Sequence, residues 1–284
     1  MESTTQKSQI VTRGLIAAFF VLVWLPLADW VFHLDKTPYT DEKRALAVFP
    51  QFDPKMKSMR EYFTGIDAYY SDHFGFRNRL IRKNNRWKKK WFNETTVDAM
   101  IGKDDWLYFS GNDMADHFRG LKEFSDSDLK SWRKLLEGRR DWLADRGIKY
   151  LLVIPPDKQT IYPEHLPGWL TPTGNPSKLD QFLAYMKVNS TVEILDLRSV
   201  LLAAKSIAPT YYSTDTHWNP FGGFVGYQEI IRALNRQLPG LGEPLQLSDY
   251  EMRTIPYHGM DLALMLGQDK SLKEKNLVEM LPKP

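Results

Sequence analysis

Cysteine is absent from the 284 residues. That removes disulfides, thiolate nucleophiles and thiolate metal ligands, and it leaves the redox compartment open, since reducing and oxidising locations both tolerate such a chain. No Gly-x-Gly-x-x-Gly and no Walker loop occurs, so a nucleotide cofactor has no support. Apart from His217, the histidines (His33, His73, His117, His165 and His258) are scattered singly, without the close spacing of a zinc-type site. A metal would have to be assembled in three dimensions, and no cofactor is expected. Net charge is scarce as well: the formal value of +3 gives no whole-chain argument for nucleic acid. Repeats and low-complexity tracts are missing too, and with 43% hydrophobic residues the chain can bury a real core.

The charge that is present is local. "RNRLIRKNNRWKKK", Arg77 to Lys90, holds eight Lys or Arg and no acid. It suits contact with an anionic polymer or lipid headgroups, or equally the solvated face of an amphipathic helix carrying Leu80, Ile81 and Trp87. Near the N-terminus, after Lys7 and Arg13, "GLIAAFFVLVWLPLA" runs uncharged from Gly14 to Ala28, and extension through Asp29 to Leu34 reaches the roughly 20 residues that span a bilayer. The basic flank predicts a cytoplasmic N-terminus with the remainder exported. No small-x-small site follows, which favours an uncleaved signal anchor over a cleaved signal peptide, with a buried core helix the third alternative. The expected organisation is therefore a cytoplasmic segment 1–13, an anchor 14–34, a proline-punctuated linker 35–60 and a domain 61–284.

Within that domain a helix is expected from Tyr62 to Trp91 and a strand or hairpin around Trp106 to Phe109. "SDSDLKSWRKLLEGRRDWLADRG" opens on capping residues, repeats apolar residues on one helical face and stops at Gly147. "KYLLVIPP" then reads as a strand, "SKLDQFLAYMKVN" as a helix and "VEILDL" as a strand. This alternation predicts an α/β fold with a largely parallel sheet flanked by helices. Functional loops in such folds lie beyond strand C-terminal ends, where "IPPDKQTIYPEHLP" and "YYSTDTHWNPFGG" are expected.

The second of these loops carries chemistry. Residues two apart in an extended loop point the same way, so Asp215 and His217 can converge. An Asp that accepts the Nδ1 proton of a His fixes its tautomer, leaves Nε2 as a general base and stabilises the imidazolium. The same pair can equally be a structural hydrogen bond. Asn219 and Pro220 read as N-cap and first residue of the helix that follows. In the earlier loop, Lys158, Tyr162 and Glu164 can line a polar groove, or belong to a rigid proline-rich turn. In "YYSDHFGFRNRL", Asp72 and Arg77 read as an ion pair in aromatic surroundings.

In order, an apolar anchor followed by "DEKRALAVFP", then "YYSDHFGFRNRLIR", "GKDDWLYF", "VIPPDKQTIYPEHLP" and "TDTHWNPFGG", with a late "GMDLALMLG", resemble the SGNH-hydrolase-like proteins of alginate acetylation, the AlgX/AlgJ type of polysaccharide O-acetyltransferase. The resemblance spans roughly residues 10 to 267. It implies a membrane-anchored α/β domain in the periplasm that transfers acetyl groups to polysaccharide hydroxyls through an acetyl-serine intermediate. Asp215 would orient His217, and Lys158, Tyr162, Arg77 and Trp218 are the candidate substrate contacts. The implied partners are an anionic exopolysaccharide, a membrane-bound acetyl-donor protein, other polysaccharide-modification proteins and the cytoplasmic membrane. The family's serine lies in a later Gly-Asp-Ser-type or Gly-Thr-Ser-type block, and no Gly-x-Ser occurs between Gly267 and Pro284. Ser110, Ser213 and Ser271 are not in a strand-to-helix elbow. The expectation is thus an exported polysaccharide O-acetyltransferase domain lacking its C-terminal part, either active or inactive for want of the nucleophile, or alternatively a non-catalytic polysaccharide-binding or scaffold protein of an export complex.

Overall fold

A computed structural model describes residues 2–36, 45–52, 59–92 and 98–283. The chain divides into two compact units, Met1–Trp91 and Phe92–Pro284.

In the first unit, α1 covers Glu2–Phe32, and its Val11–Phe32 segment of 22 residues is long and apolar enough to cross a membrane. Near its end the Asp29 carboxylate accepts hydrogen bonds from the amides of Asp35 and Phe76, the latter at 2.8 Å. The helix expected from Tyr62 to Trp91 is two helices, α2 (Met59–Asp72) and α3 (Arg77–Phe92). They part where Phe76 takes φ 60° and where a Cβ on Gly75 would lie 2.2 Å from the Pro26 carbonyl oxygen. Only glycine fits such a backbone approach, and the left-handed residue after it cannot continue a helix. Asp72 is buried, accepts from the Ala47 amide at 2.8 Å and faces Arg77 at 4.0 Å. Of the expected linker, residues 45–52 carry no helix or strand, and residues 37–44 and 53–58 lie outside the described residues.

The second unit opens with β1 (Ala99–Ile101) paired antiparallel to β2 (Leu107–Phe109), the hairpin expected around Trp106. Alternation along this strand sends Leu107 into a cluster with Ala99, Ile101, Leu262 and Leu266. Trp106 and Tyr108 enter a second cluster with Ile161, Tyr162, Leu197 and Tyr211. After a short α4 (Met114–Arg119), α5 (Asp126–Ala144) starts on a capping box: Ser125 Oγ accepts from the Asp128 amide at 3.2 Å, and the Asp128 carboxylate accepts from the Ser125 amide at 3.0 Å.

Next, β3 (Leu152–Ile154) leads into α6 (Lys158–Ile161), then α7 (Lys178–Asn189) into β4 (Ile194–Asp196), which pairs parallel with β3 in the register Leu152 to Ile194. Leu129 and Leu136 of α5 pack with Phe182 and Met186 of α7, and Leu152 and Ile154 of β3 lie against this cluster. The mixed helix and strand alternation expected from the pattern is thus formed, but among the described residues only β3 and β4 pair in parallel, so the expected largely parallel sheet is corrected. The chain continues through α8 (Arg198–Ala204) and α9 (Pro220–Gln237) to β5 (Tyr250–His258), α10 (Asp261–Met265) and β6 (Lys273–Pro282). β5 and β6 pair antiparallel, with a register shift between Ile255 and Tyr257 at Pro256, which has no N–H to give the ladder. Among the described residues the strands make three two-stranded sheets.

Candidate active site

The segment Tyr211 to Trp218 follows α8, not a strand, which corrects the expected placement beyond a strand end. A single antiparallel bridge between Tyr211 and Trp218 closes it, the Tyr212 amide donates to the His217 carbonyl at 3.3 Å, and the Asn219 amide donates to the Thr210 carbonyl at 3.0 Å. Asn219 then caps α9: its Oδ1 accepts from the Gly222 amide at 2.9 Å, while Nδ2 donates to the carbonyls of Pro209 and Asn276 at 2.6 and 2.8 Å. Pro220 occupies the first helical turn, where its missing N–H costs nothing. A Cβ on Gly222 would stand 2.1 Å from the Thr210 carbonyl oxygen, so the helix start and the strand-like entry to the loop touch backbone to backbone.

Asp215 and His217 converge as expected, though by a different route. The loop bends, and Asp215 Oδ1 accepts from the His217 amide at 3.1 Å in an Asx turn while meeting His217 Nδ1 at 2.6 Å. Thr216 Oγ1 adds a longer contact to the same oxygen at 3.4 Å. Burial by itself would raise the Asp215 carboxyl, but the hydrogen bonds and charge of His217 outweigh it and hold the carboxyl below its ordinary value. An ionised Asp215 is acceptor-only, so Nδ1 donates to it, a tautomer that in the neutral imidazole leaves the lone pair on Nε2. The Asp215 side chain is 5% exposed and the His217 side chain 69% exposed, so the carboxylate lies inside and the imidazole at the surface. Asp261, first residue of α10, joins them: one ligand-capable atom from each of Asp215, His217 and Asp261 lies within 4.8 Å of the others. The set is of a type that divalent cations use, yet Asp215 Oδ1 is already engaged by the imidazole and an amide, which suits proton chemistry better.

Two expected substrate contacts are corrected. Lys158 is 3% exposed and cannot line a groove; its Nζ donates to the carbonyls of Tyr212, Ser213 and Asp215 at 3.2, 3.1 and 2.6 Å. Burial pushes its pKa down to about 7, against the opposing pull of the Glu274 and Asp215 carboxylates. Tyr162 is also buried, packed on Trp106 at 4.5 Å, and its hydroxyl accepts from the Thr210 amide at 2.9 Å. Both residues hold the loop from below. Glu164 is paired with Lys205 at 2.7 Å. Trp218 is half-buried, with its ring over Gly226, where an added Cβ would meet it at 3.2 Å. Arg77 belongs to the first unit, where it faces Asp72.

A residue of the site that was not read from sequence is Glu274 of β6. It is fully buried and accepts from the amides and hydroxyls of Ser213 and Thr214 at 2.6 to 3.0 Å. Period two along "LKEKNLV" puts Glu274 on the same face as Leu272 and Val278, which was the available signal. Ser213 spends its hydroxyl on Glu274, and Ser271 donates its own to the Gln268 carbonyl at 3.1 Å.

A buried aspartate that holds a surface histidine by Nδ1, on a loop feeding a capped helix of an α/β unit, is the orienter and base arrangement of the hydrolase-like folds. The sequence model of the family described as "SGNH hydrolase-like domain, acetyltransferase AlgX" matches residues 99–282, and the chain belongs to that family. Among its relatives, a "Probable alginate O-acetylase AlgJ" of Pseudomonas syringae pv. tomato is 32% identical over 221 residues, covering 77% of this chain and 52% of the relative. The protein of the same description in Pseudomonas fluorescens is 29% identical over 208 residues, covering 72% of this chain and 50% of the relative. The chain therefore spans about half the length of these relatives. Of solved structures, the "O-Acetyltransferase Domain of Pseudomonas putida AlgJ" aligns with TM-score 0.47 and 27% identity, covering 66% of this chain and 65% of that one.

Proposed function

We propose that the chain contributes the base half of a polysaccharide O-acetyltransferase site, in a periplasmic domain held at the cytoplasmic membrane by α1. The observation that carries this reading is the 2.6 Å contact between Asp215 Oδ1 and His217 Nδ1, with the carboxylate buried and the imidazole open to solvent. In the reaction, His217 Nε2 takes the proton of a hydroxyl as that oxygen attacks an acetyl carbonyl, and Asp215 stabilises the imidazolium that results. When the tetrahedral intermediate collapses, the same proton passes to the leaving oxygen. The hydroxyl is first that of the family's serine and then that of a sugar. Residues 1–284 contain no Gly-x-Ser block, so the serine is not assigned among them. The relatives described as probable alginate O-acetylases support an acidic exopolysaccharide of the alginate type as acceptor, and an acetyl-donor protein in the same membrane is part of the proposal.

The test is direct acetyl transfer from an ester to alginate by the purified 284-residue chain, in which His217 activates the sugar hydroxyl without an acetyl-serine, compared with His217→Ala. A drop of about 10²-fold or more is expected, and measurable, equal turnover by the two proteins removes His217 as base.

A second reading, glycan binding without turnover, is favoured by a groove along α5 of about 720 Å³. It is open and mainly apolar, with Leu135, Leu143, Trp142 and Tyr150 in its lining, and Lys134 and Arg139 there add positive charge for an acidic sugar chain. Alginate binding that persists in His217→Ala while neither protein turns over the ester supports this alternative.

A further inference from the structure

We infer that Glu274 is the positioning residue that sets the Asp215–His217 pair and brings Asp261 beside it. This rests on the reading of His217 as the base.

The argument begins with what Glu274 accepts. Oε1 takes the Ser213 amide at 2.9 Å, the Ser213 hydroxyl at 3.0 Å and the Asn276 amide at 2.7 Å. Oε2 takes the Thr214 amide at 2.7 Å and the Thr214 hydroxyl at 2.6 Å. Every partner is a donor, and donors face both oxygens. Only a carboxylate satisfies that pattern, because an amide turns its NH2 toward one set of donors. Consecutive backbone amides of Ser213 and Thr214 are thereby aimed at one group, which fixes the peptide planes just before Asp215. From the other side Lys158 Nζ holds the carbonyls of Tyr212, Ser213 and Asp215. The segment is clamped by its N–H groups on Glu274 and by its C=O groups on Lys158.

The clamp extends to α10. The Thr214 hydroxyl gives its proton to Glu274, and its oxygen accepts from the Met260 amide at 3.1 Å. The Thr214 carbonyl accepts from the amides of Leu262 and Ala263 at 3.1 and 3.3 Å. These three amides bracket Asp261, the carboxylate that lies with His217 and Asp215 within 4.8 Å. One buried side chain on β6 thus orders both carboxylates that flank the imidazole, although it is not among the groups gathered around His217. The bonds are charge-assisted and shielded from water, so they hold the loop more stiffly than exposed contacts would.

The experiment uses the full chain in detergent. The proton on His217 Nδ1, hydrogen-bonded to Asp215, is identified in the NMR spectrum as the resonance lost in Asp215→Asn. In Glu274→Gln, with near-native circular dichroism, this resonance is expected to be lost and acetyl-ester turnover to fall about 10²-fold in kcat with KM unchanged. Glu251→Gln, at an exposed ion pair of the same ribbon, keeps both. Thr214→Val probes the relay should Glu274→Gln not fold: it is expected to lose the resonance, and Thr214→Ser to retain it. A folded Glu274→Gln, or a folded Thr214→Val, with the resonance and kcat of the wild type overturns the proposal. Failure of the base reading looks different: His217→Ala then turns over ester as the wild type does, while the Nδ1 proton still responds to Glu274→Gln.

Discussion

Replacing Lys158 by methionine probes the electrostatics beneath the loop, because methionine keeps most of the side chain's volume and removes the ammonium. The Ser213 carbonyl would retain the Leu107 amide at 2.8 Å, whereas those of Tyr212 and Asp215 lose the donor they have at 3.2 and 2.6 Å. Two carbonyls short of a donor cost about 1–3 kcal/mol each. Glu274 also loses a nearby cation, while the desolvation of Lys158 is relieved. The net expectation is a loss of about 3 kcal/mol at pH 6. The pH dependence supplies a second reading of the same variant. Burial lowers Lys158 from 10.5 to about 7, so between these values the unfolded chain binds the extra proton. Wild-type stability then rises with pH above about 7, by at most about 1.4 kcal/mol per unit, and the variant lacks this rise. Near pH 10 buried Tyr108 and Tyr211, whose hydroxyls burial pushes upward, begin to oppose it, because their unfolded forms ionise first. Urea unfolding of the full chain in detergent, followed by tryptophan fluorescence from pH 6 to 9.5, measures both effects. Equal stability at pH 6, or parallel pH profiles for the two proteins, refutes the reasoning.

Gly222→Ala places a Cβ 2.1 Å from the Thr210 carbonyl oxygen and is expected to lower stability by about 3 kcal/mol in the same assay. Gly138→Ala, in open space within α5, is expected to raise it by about 0.5–1 kcal/mol. The Asp215 carboxyl is held below its ordinary value of 3.8, so the stability that wild type has over Asp215→Asn is fully present above that pH and disappears as pH falls through the folded value. Acid titration of both proteins by circular dichroism checks this. Deleting residues 1–34 is expected to move the protein from the membrane to the soluble fraction on centrifugation, since the apolar Val11–Phe32 segment goes with them.

Much of the second unit was legible because its signals are local. Capping residues fall at the starts of α5, α7 and α9, apolar periodicity marks α5, and prolines close β3. The pairing of Asp215 with His217 was visible too, because an Asx turn needs only residues two apart. What was misread involved burial. Lys158 and Tyr162 follow a strand and look like groove residues, yet Trp106 and Thr210, each about 50 residues away, cover the Tyr162 ring and bind its hydroxyl. The break between α2 and α3 was missed because it arises where Gly75 meets Pro26, a contact that composition does not announce.

By itself the sequence determined the long apolar segment near the N-terminus, the alternation of helix and strand, the capped start of α9 and the family, since each is written in short spacings or ordered blocks. Tertiary structure decided which polar groups lie inside. Glu274 reaches Ser213 and Thr214 across about 60 residues, and nothing in "KEKNLV" distinguishes it from a solvated acid except the face it shares with Leu272 and Val278. Whether such a group is buried depends on which donors the rest of the fold brings to it. Here four of the five donors come from the loop that carries Asp215 and His217.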